Sequence, residues 1–226
     1  MAYKFAPHES NSWLDSNLYS TTAPAFHGTN YLSIVARFQA ENVTEDGTIC
    51  WLEFDDTDGN RYLLRACGGL SGDPVRFSAF REGAEQYINS SSAFSANTWH
   101  TVIATANRSA GSAGINVSLD GGAFANKSTS KFPNGNASLV RIGGVVGYRT
   151  LRGSVAEVAL YDCNLAASAY SADVAALAKG FSPASIRPQN LLAYWPLVRG
   201  LQDHVGGHTL TAQSDPVVVE HPRVIA

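Results

Sequence analysis

Along most of this chain apolar residues return at every second position, the period of a pleated strand with one face against a core. In SVAEVALYD (154–162), Val155, Glu157 and Ala159 alternate with Ala156, Val158 and Leu160. Further strand-like runs stand at YLSIVARF (31–38), TICWLEF (48–54), RYLLRAC (61–67), VRFSAF (75–80), WHTVIATA (99–106), INVSLD (115–120) and SLVRIGG (138–144). Between them lie DTDGN, GGLSGDP, REGAE, RSAGSAG, DGG and FPNGN, whose Gly, Pro, Asn and Asp residues suit tight turns. Short strands at regular spacing with such turns predict an all-β antiparallel sandwich or barrel. A two-residue turn at Asp58-Gly59 would set Cys50 opposite Cys67, as two buried thiols on one hairpin.

One segment changes period. Tyr170, Val174 and Leu177 recur at helical spacing, Ser168 or Ser171 can cap the start, and Lys179-Gly180 closes the end, which predicts one short helix near 169–179. A helix this short is not stable alone, so its apolar stripe is expected on the sandwich, over an open end or edge.

At 226 residues the chain fits one large all-β domain, and its 45% apolar and 15% charged residues suffice for a sizeable core under an ordinary soluble surface. The formal net charge is −3 and no Lys/Arg block occurs, so neither nucleic acid nor an anionic membrane is an expected partner. No apolar run approaches the roughly 20 residues of a spanning helix. The start, MAYKFAPHESNSW, carries Lys4, His8 and Glu9 without an apolar centre and does not read as a secretory signal, so synthesis in a cytoplasm is the expectation. Three cysteines do not suit a disulfide framework.

The ordered series WHTV (99–102), VSLDG (117–121), RIGG (141–144), GSVAEVALY (153–161) and YSADVAAL (170–177) resembles the laminin G-like branch of the concanavalin A-like lectin/glucanase superfamily. The resemblance spans about 31–180 and implies an antiparallel two-sheet jelly-roll sandwich. In that family a phrase similar to LLAYWPL (191–197), followed by Asp, a Gly-rich turn and a Thr-Leu pair, commonly opens the domain; here it follows the helix. Sandwich termini lie close together, so Leu191–Leu197 is expected as a core strand supplied late. The chain then divides into an arm (1–30), the sandwich (31–212) and a tail (213–226).

The glycan-cleaving members of the superfamily carry E-x-D-x-x-E, because two carboxylates must flank the scissile bond. Glu53-Phe54-Asp55 is the nearest match, but Asp58 stands where the second Glu belongs, in the expected turn, so the segment reads as a solvated hairpin and the chain as no enzyme. Asp56, Asp58 and Asn60 offer oxygen donors that suit calcium, yet Arg61 occupies the position that needs Gly and no closing Glu follows. No cofactor is therefore assigned. His204 and His208 have zinc spacing only on a helix, which two intervening glycines oppose. Trp99 is expected in the core. Tyr148 and Arg149, in the loop VVGYRTLRG, have the composition of a contact for a sugar or protein.

The arm mixes Tyr3, Phe5, Trp13, Tyr19 and Phe26 with polar residues and shows neither period, while the tail holds Val218, Val224 and Ile225. Rings and β-prone apolar ends call for a surface that covers them, either on this domain or on a neighbouring subunit. With the cytoplasmic start, this leads to the expectation of a stand-alone subunit of a phage-type virion or similar assembly, homo-oligomeric or with other subunits, released by lysis. A lectin-like glycan binder is the alternative.

Overall fold

The computed structural model describes residues 2–5, 13–17, 30–54, 57–109, 113–133, 135, 137–145, 150–198, 200–214 and 216–222. In chain order its strands are β1 (Ala2–Phe5), β2 (Trp13–Asn17), β3 (Tyr31–Ala40), β4 (Asp46–Phe54), β5 (Thr57–Cys67), β6 (Pro74–Arg81), β7 (Ala84–Ala93) and β8 (His100–Asn107). There follow β9 (Gly114–Leu119), β10 (Ala125–Ser128), β11 (Ala137–Ile142), β12 (Gly153–Tyr161), helix α1 (Ser171–Ala178), β13 (Leu191–Trp195), β14 (Thr211–Gln213) and β15 (Val217–Val219). One sheet runs β10-β9-β8-β3-β12-β1-β15, with β13 also paired to β12; the other runs β14-β2-β11-β4-β5-β6-β7. The strands pair antiparallel, giving the two-sheet sandwich with one short helix that the alternation and turns indicate.

The core lies between the sheets. Ile34, Ala36 and Phe38 of β3, Val102 and Ala104 of β8, and Val155, Val158 and Leu160 of β12 meet Cys50, Leu52 and Phe54 of β4, Leu64 of β5 and Phe77 of β6. Trp195 of β13 is wholly buried in this cluster, and its indole Nε1 donates to the His208 carbonyl at 2.6 Å. Asp203 organises the turn behind it, accepting from the backbone N–H groups of Tyr194, Val205 and Gly206 at 2.8, 2.9 and 2.8 Å. His208 is thus a buried member of an Asp-centred turn while His204 is exposed, and no metal-binding cluster occurs among the described residues.

β12 is shared by strands from both ends of the chain. Its first half pairs with β1 (Tyr3 opposite Val155) and its second half with β13 (Val158 opposite Trp195), with a register break between Ala156 and Ala159. Glu157 occupies that bulge with φ +46°. Its buried carboxylate accepts from the Tyr194 hydroxyl at 2.7 Å and lies 3.5 Å from the Arg37 guanidinium. Burial raises its pKa, and Tyr194 and Arg37 oppose that rise.

Several expectations need correction. The arm without apparent period contributes β1 to one sheet and β2 to the other, because main-chain pairing with β12 and β11 holds segments too short to show alternation. Phe54 pairs with Thr57, so Asp58 and Gly59 lie within β5. That shift, with bulges on the hairpin, sets Cys50 opposite Leu64 and Cys67 opposite Asp46; the thiols are not opposed, and all three cysteines are free and buried. α1 covers the outer face of the first sheet, where Val174 and Leu177 pack with Val35, Ile103 and Tyr161. It lacks a side-chain cap at its start. Among the described residues no helix is long and apolar enough to cross a membrane.

Candidate functional site

The second sheet turns an unusual set of side chains away from the core. Apolar residues alternate with polar ones along β4, β5 and β6, and the outward positions hold arginines and aromatics where Ser, Thr or Lys would suffice for solubility. Register aligns them across strands: Arg141 lies opposite Asp15 and Trp51, Trp51 opposite Leu63, Leu63 opposite Ser78, and Ser78 opposite Tyr87. A second row is Glu53, Arg61, Phe80 and Glu85, and Arg65 pairs with Arg76 beyond them.

The inner part of this face is closed. Trp51, Leu63, Phe80 and Val145 form a buried cluster of their own, and the Arg61 guanidinium is sandwiched at 4.4 Å from the Trp51 ring and 3.7 Å from the Phe80 ring. Glu53 accepts from Trp51 Nε1 at 3.2 Å and faces Arg141 at 3.4 Å, so the carboxylate expected to be solvated on a hairpin is instead buried on β4. Its charge is matched by Arg141, as a buried carboxylate requires.

Towards β7 the face opens. Glu85 accepts from Ser78 Oγ at 2.7 Å and from Arg65 at 3.2 Å. Arg76 donates from Nε to Asn89 Oδ1 at 2.9 Å and stacks 3.9 Å over the Tyr87 ring, which is 41% exposed. Lys127 stands 5.2 Å from the same ring. An exposed aromatic ring with a guanidinium stacked on it and charged donors beside it can meet a ligand that has one apolar and one polar side. Across the whole face Arg61, Arg65, Arg76 and Arg141 are balanced by Asp15, Asp46, Glu53 and Glu85, but around the exposed ring Arg65, Arg76 and Lys127 outnumber Asp46 and Glu85, so the open part is locally cationic.

The loop VVGYRTLRG is anchored here at both ends, through Val145 in the buried cluster and through Thr150, which bridges to Thr48 of β4. Tyr148 and Arg149 themselves lie outside the described residues, as do Asp56, Tyr19, Phe26, Val224 and Ile225 and the side chain of Asp58. Asn60 accepts from the Glu82 N–H at 3.3 Å, a turn contact. Among the other candidates Phe5 is wholly buried, Tyr3 and Trp13 are half-buried on paired strands, and Val218 is exposed on the edge strand β15. Phe5 therefore presents no surface to a neighbouring subunit.

A sequence model of the concanavalin A-like lectin/glucanases superfamily, of laminin G type, matches residues 14–169. The chain belongs to this superfamily. Concanavalin A-like relatives of known structure share the sandwich at low identity. A heptameric SAP-like pentraxin from Limulus polyphemus aligns at TM-score 0.64 and 12% identity, covering 96% of this chain and 92% of that one. The CBM40 of Ruminococcus gnavus IT-sialidase, bound to α2,3 sialyllactose, aligns at 0.57 and 15%, covering 76% and 95%. Domains LG4-5 of the mouse laminin α1 chain align at 0.51 and 14%, covering 70% and 41%. No curated protein matches the chain in sequence.

The arginines and Tyr87 are the site residues that sequence reasoning passed over. Their signal is present in Arg61-x-Leu63-x-Arg65 and Arg76-x-Ser78-x-Phe80, but only register shows that the outward positions of neighbouring strands form one surface.

Proposed function

We propose that this protein binds carbohydrate on the outer face of its second sheet, across Tyr87, Arg76, Arg65 and Glu85, and that the preferred ligand is an acidic glycan. The observation that carries the reading is the exposed Tyr87 ring backed by Arg76, with Arg65 and Lys127 beside it as a local excess of cations. A sugar ring offers a C–H face to the aromatic, and carboxylate or sulfate groups suit guanidinium donors. The Ruminococcus gnavus module of the same fold, bound to α2,3 sialyllactose, supports the class.

The face is read as binding without cleaving. Glu53 and Glu85 are separated by Arg61 and Phe80, three strand steps that amount to about 14 Å at the usual spacing. Glycosidase carboxylates stand roughly 5–9.5 Å apart. The alternative of an assembly subunit has one supporting feature, the exposed Val217 and Val218 on edge strand β15.

Calorimetry against a glycan panel tests the reading. Acidic oligosaccharides are expected to bind, with Arg76→Ala and Tyr87→Ala each weakening affinity about tenfold or more, since a charged hydrogen bond contributes about 1.5–3 kcal/mol. Equal affinity in both variants, with unchanged melting temperature, would remove the site.

A further inference from the structure

The first sheet carries a cavity of about 530 Å³ on its outer side, beyond the region covered by α1. It lies where β1 and the segment after β15 join β3 and β12, so it is built from both ends of the chain. Its wall includes Gln39 and Glu41, Ser154 of β12, Lys4 of β1, and Asn97 and Trp99 just before β8. The volume falls within the range of about 300–1,000 Å³ typical of small-molecule sites.

Trp99 is half-buried on this wall, which corrects its expected place in the core. The segment bearing it is tightly fixed. His100, the next residue, is held by Asp120 at 2.7 Å through Nδ1, and its Nε2 meets the Ser95 backbone, N–H at 3.0 Å and carbonyl at 3.2 Å. Asn97 adopts φ +56°, its N–H donates to the Ala40 carbonyl at 2.7 Å, and its own carbonyl accepts from Gln39 Nε2 at 3.0 Å. A left-handed Asn over-determined by its neighbours is a preorganised position rather than a loose loop.

The wall's charged side chains are Lys4, Glu41 and the exposed Glu220, one cation against two carboxylates. Lys4 is paired with Glu41, which also accepts from Arg152 at 3.2 Å, and the Lys4 ammonium beside it holds the Glu41 carboxyl below the usual range. His221, also lining the cavity, has its pKa lowered by burial, against the Pro222 and Pro196 carbonyls that its ring nitrogens meet at 2.7 and 3.0 Å. What the wall offers a ligand is two primary amides, a serine hydroxyl, an indole face and the exposed Glu220 carboxylate, which accepts from hydroxyls and disfavours an anionic ligand. Amides and hydroxyls both donate and accept, the valency that sugar hydroxyls match, while the indole suits the apolar face of a pyranose ring.

We propose that this cavity is a second ligand site, taking a neutral hydroxylated ring such as a hexose unit stacked on Trp99 and hydrogen-bonded to Asn97, Gln39 and Ser154. It lies on the opposite sheet from the arginine face and differs from it in charge, so the two sites select different glycans and their tests are separable. One chain then engages two saccharides from opposite sides.

Nitrogen-15 NMR of the full chain, titrated with lactose, cellobiose, maltose and chitobiose at millimolar concentration, tests the proposal. At least one of these is expected to shift the Trp99 indole N–H and the Asn97 and Gln39 side-chain amides. Asn97→Ala and Trp99→Leu should each raise the dissociation constant about tenfold, whereas Arg76→Ala, which leaves this cavity untouched, should not change it. Absence of shifts at these groups with all four sugars overturns the proposal, as do shifts confined to β5–β7 or binding unaltered in folded Asn97→Ala. Should Trp99→Leu fail to fold, the wild-type shift map and Asn97→Ala decide.

Discussion

Gly143 shows how one residue of a sequence motif serves a distant strand. It stands at φ +87°, and a Cβ there would come within 2.3 Å of the Phe5 ring, so the glycine of RIGG makes room for the first strand. Gly143→Ala is expected to cost roughly 2 kcal/mol or more, through left-handed strain and overpacking together, measurable by urea unfolding. His100 makes a pH-dependent contribution. Burial opposes its charge, but the Asp120 hydrogen bond and charge, with the Ser95 carbonyl, outweigh it and raise the pKa. A raised folded-state pKa gives stability that is fully present below the unfolded value of about 6.5 and is lost as pH rises through the folded value. Unfolding curves should therefore show Asp120→Asn destabilised most at pH 5–6, with the gap from wild type narrowing above that range. A constant gap would assign Asp120 to its backbone bond with Thr101 alone. Glu53 and Trp99 mark the limit of residue-level reading: an expected turn placed one in solvent and the family resemblance placed the other in the core, yet Glu53 is buried and Trp99 half-buried, because exposure depends on what the neighbouring strands and loops bring alongside.

At the scale of elements, strands with a buried face were legible and strands without one were not. β3, β8 and β12 alternate because each covers the core. β7, AEQYINSSSA, has no buried position and is held by its main-chain pairing to β6, which leaves no apolar period to read. β1 buries Ala2 and Phe5, but four residues are too few to establish a pattern. The hairpin β4–β5 was legible as an element and not in register, since bulges at Thr48/Cys50 and Glu53/Phe54 move every opposed pair and only side-chain packing fixes them. β13 was legible from LLAYW and carries the largest single energetic expectation. Trp195→Ala removes a wholly buried indole and its bond to His208, so a loss of about 3–5 kcal/mol in chemical denaturation is expected. A loss below about 1 kcal/mol would mean that β13 contributes little to the core.

The whole molecule is a sandwich whose two outer faces are chemically unlike. One is covered in part by α1 and also bears a cavity walled by amides and Trp99; the other, which no helix covers among the described residues, is aromatic and rich in arginine. The sequence revealed the sandwich through periods and turns, but not this division, because a face is a property of aligned strands. Arg61, Arg65, Arg76 and Arg141 are scattered over 80 positions of sequence and become neighbours only through the order β11-β4-β5-β6. The net charge of −3 likewise conceals the local excess of cations around Tyr87. The central claim is that this face binds acidic glycan. Its most direct test is a titration of the full chain with 3′-sialyllactose or a sulfated disaccharide, following arginine Nε–H and backbone resonances. Shifts concentrated on Arg65, Arg76, Tyr87 and Glu85 are expected, weakening as salt is raised. Saturation without shifts on β5–β7, or no binding by any acidic saccharide, would contradict it.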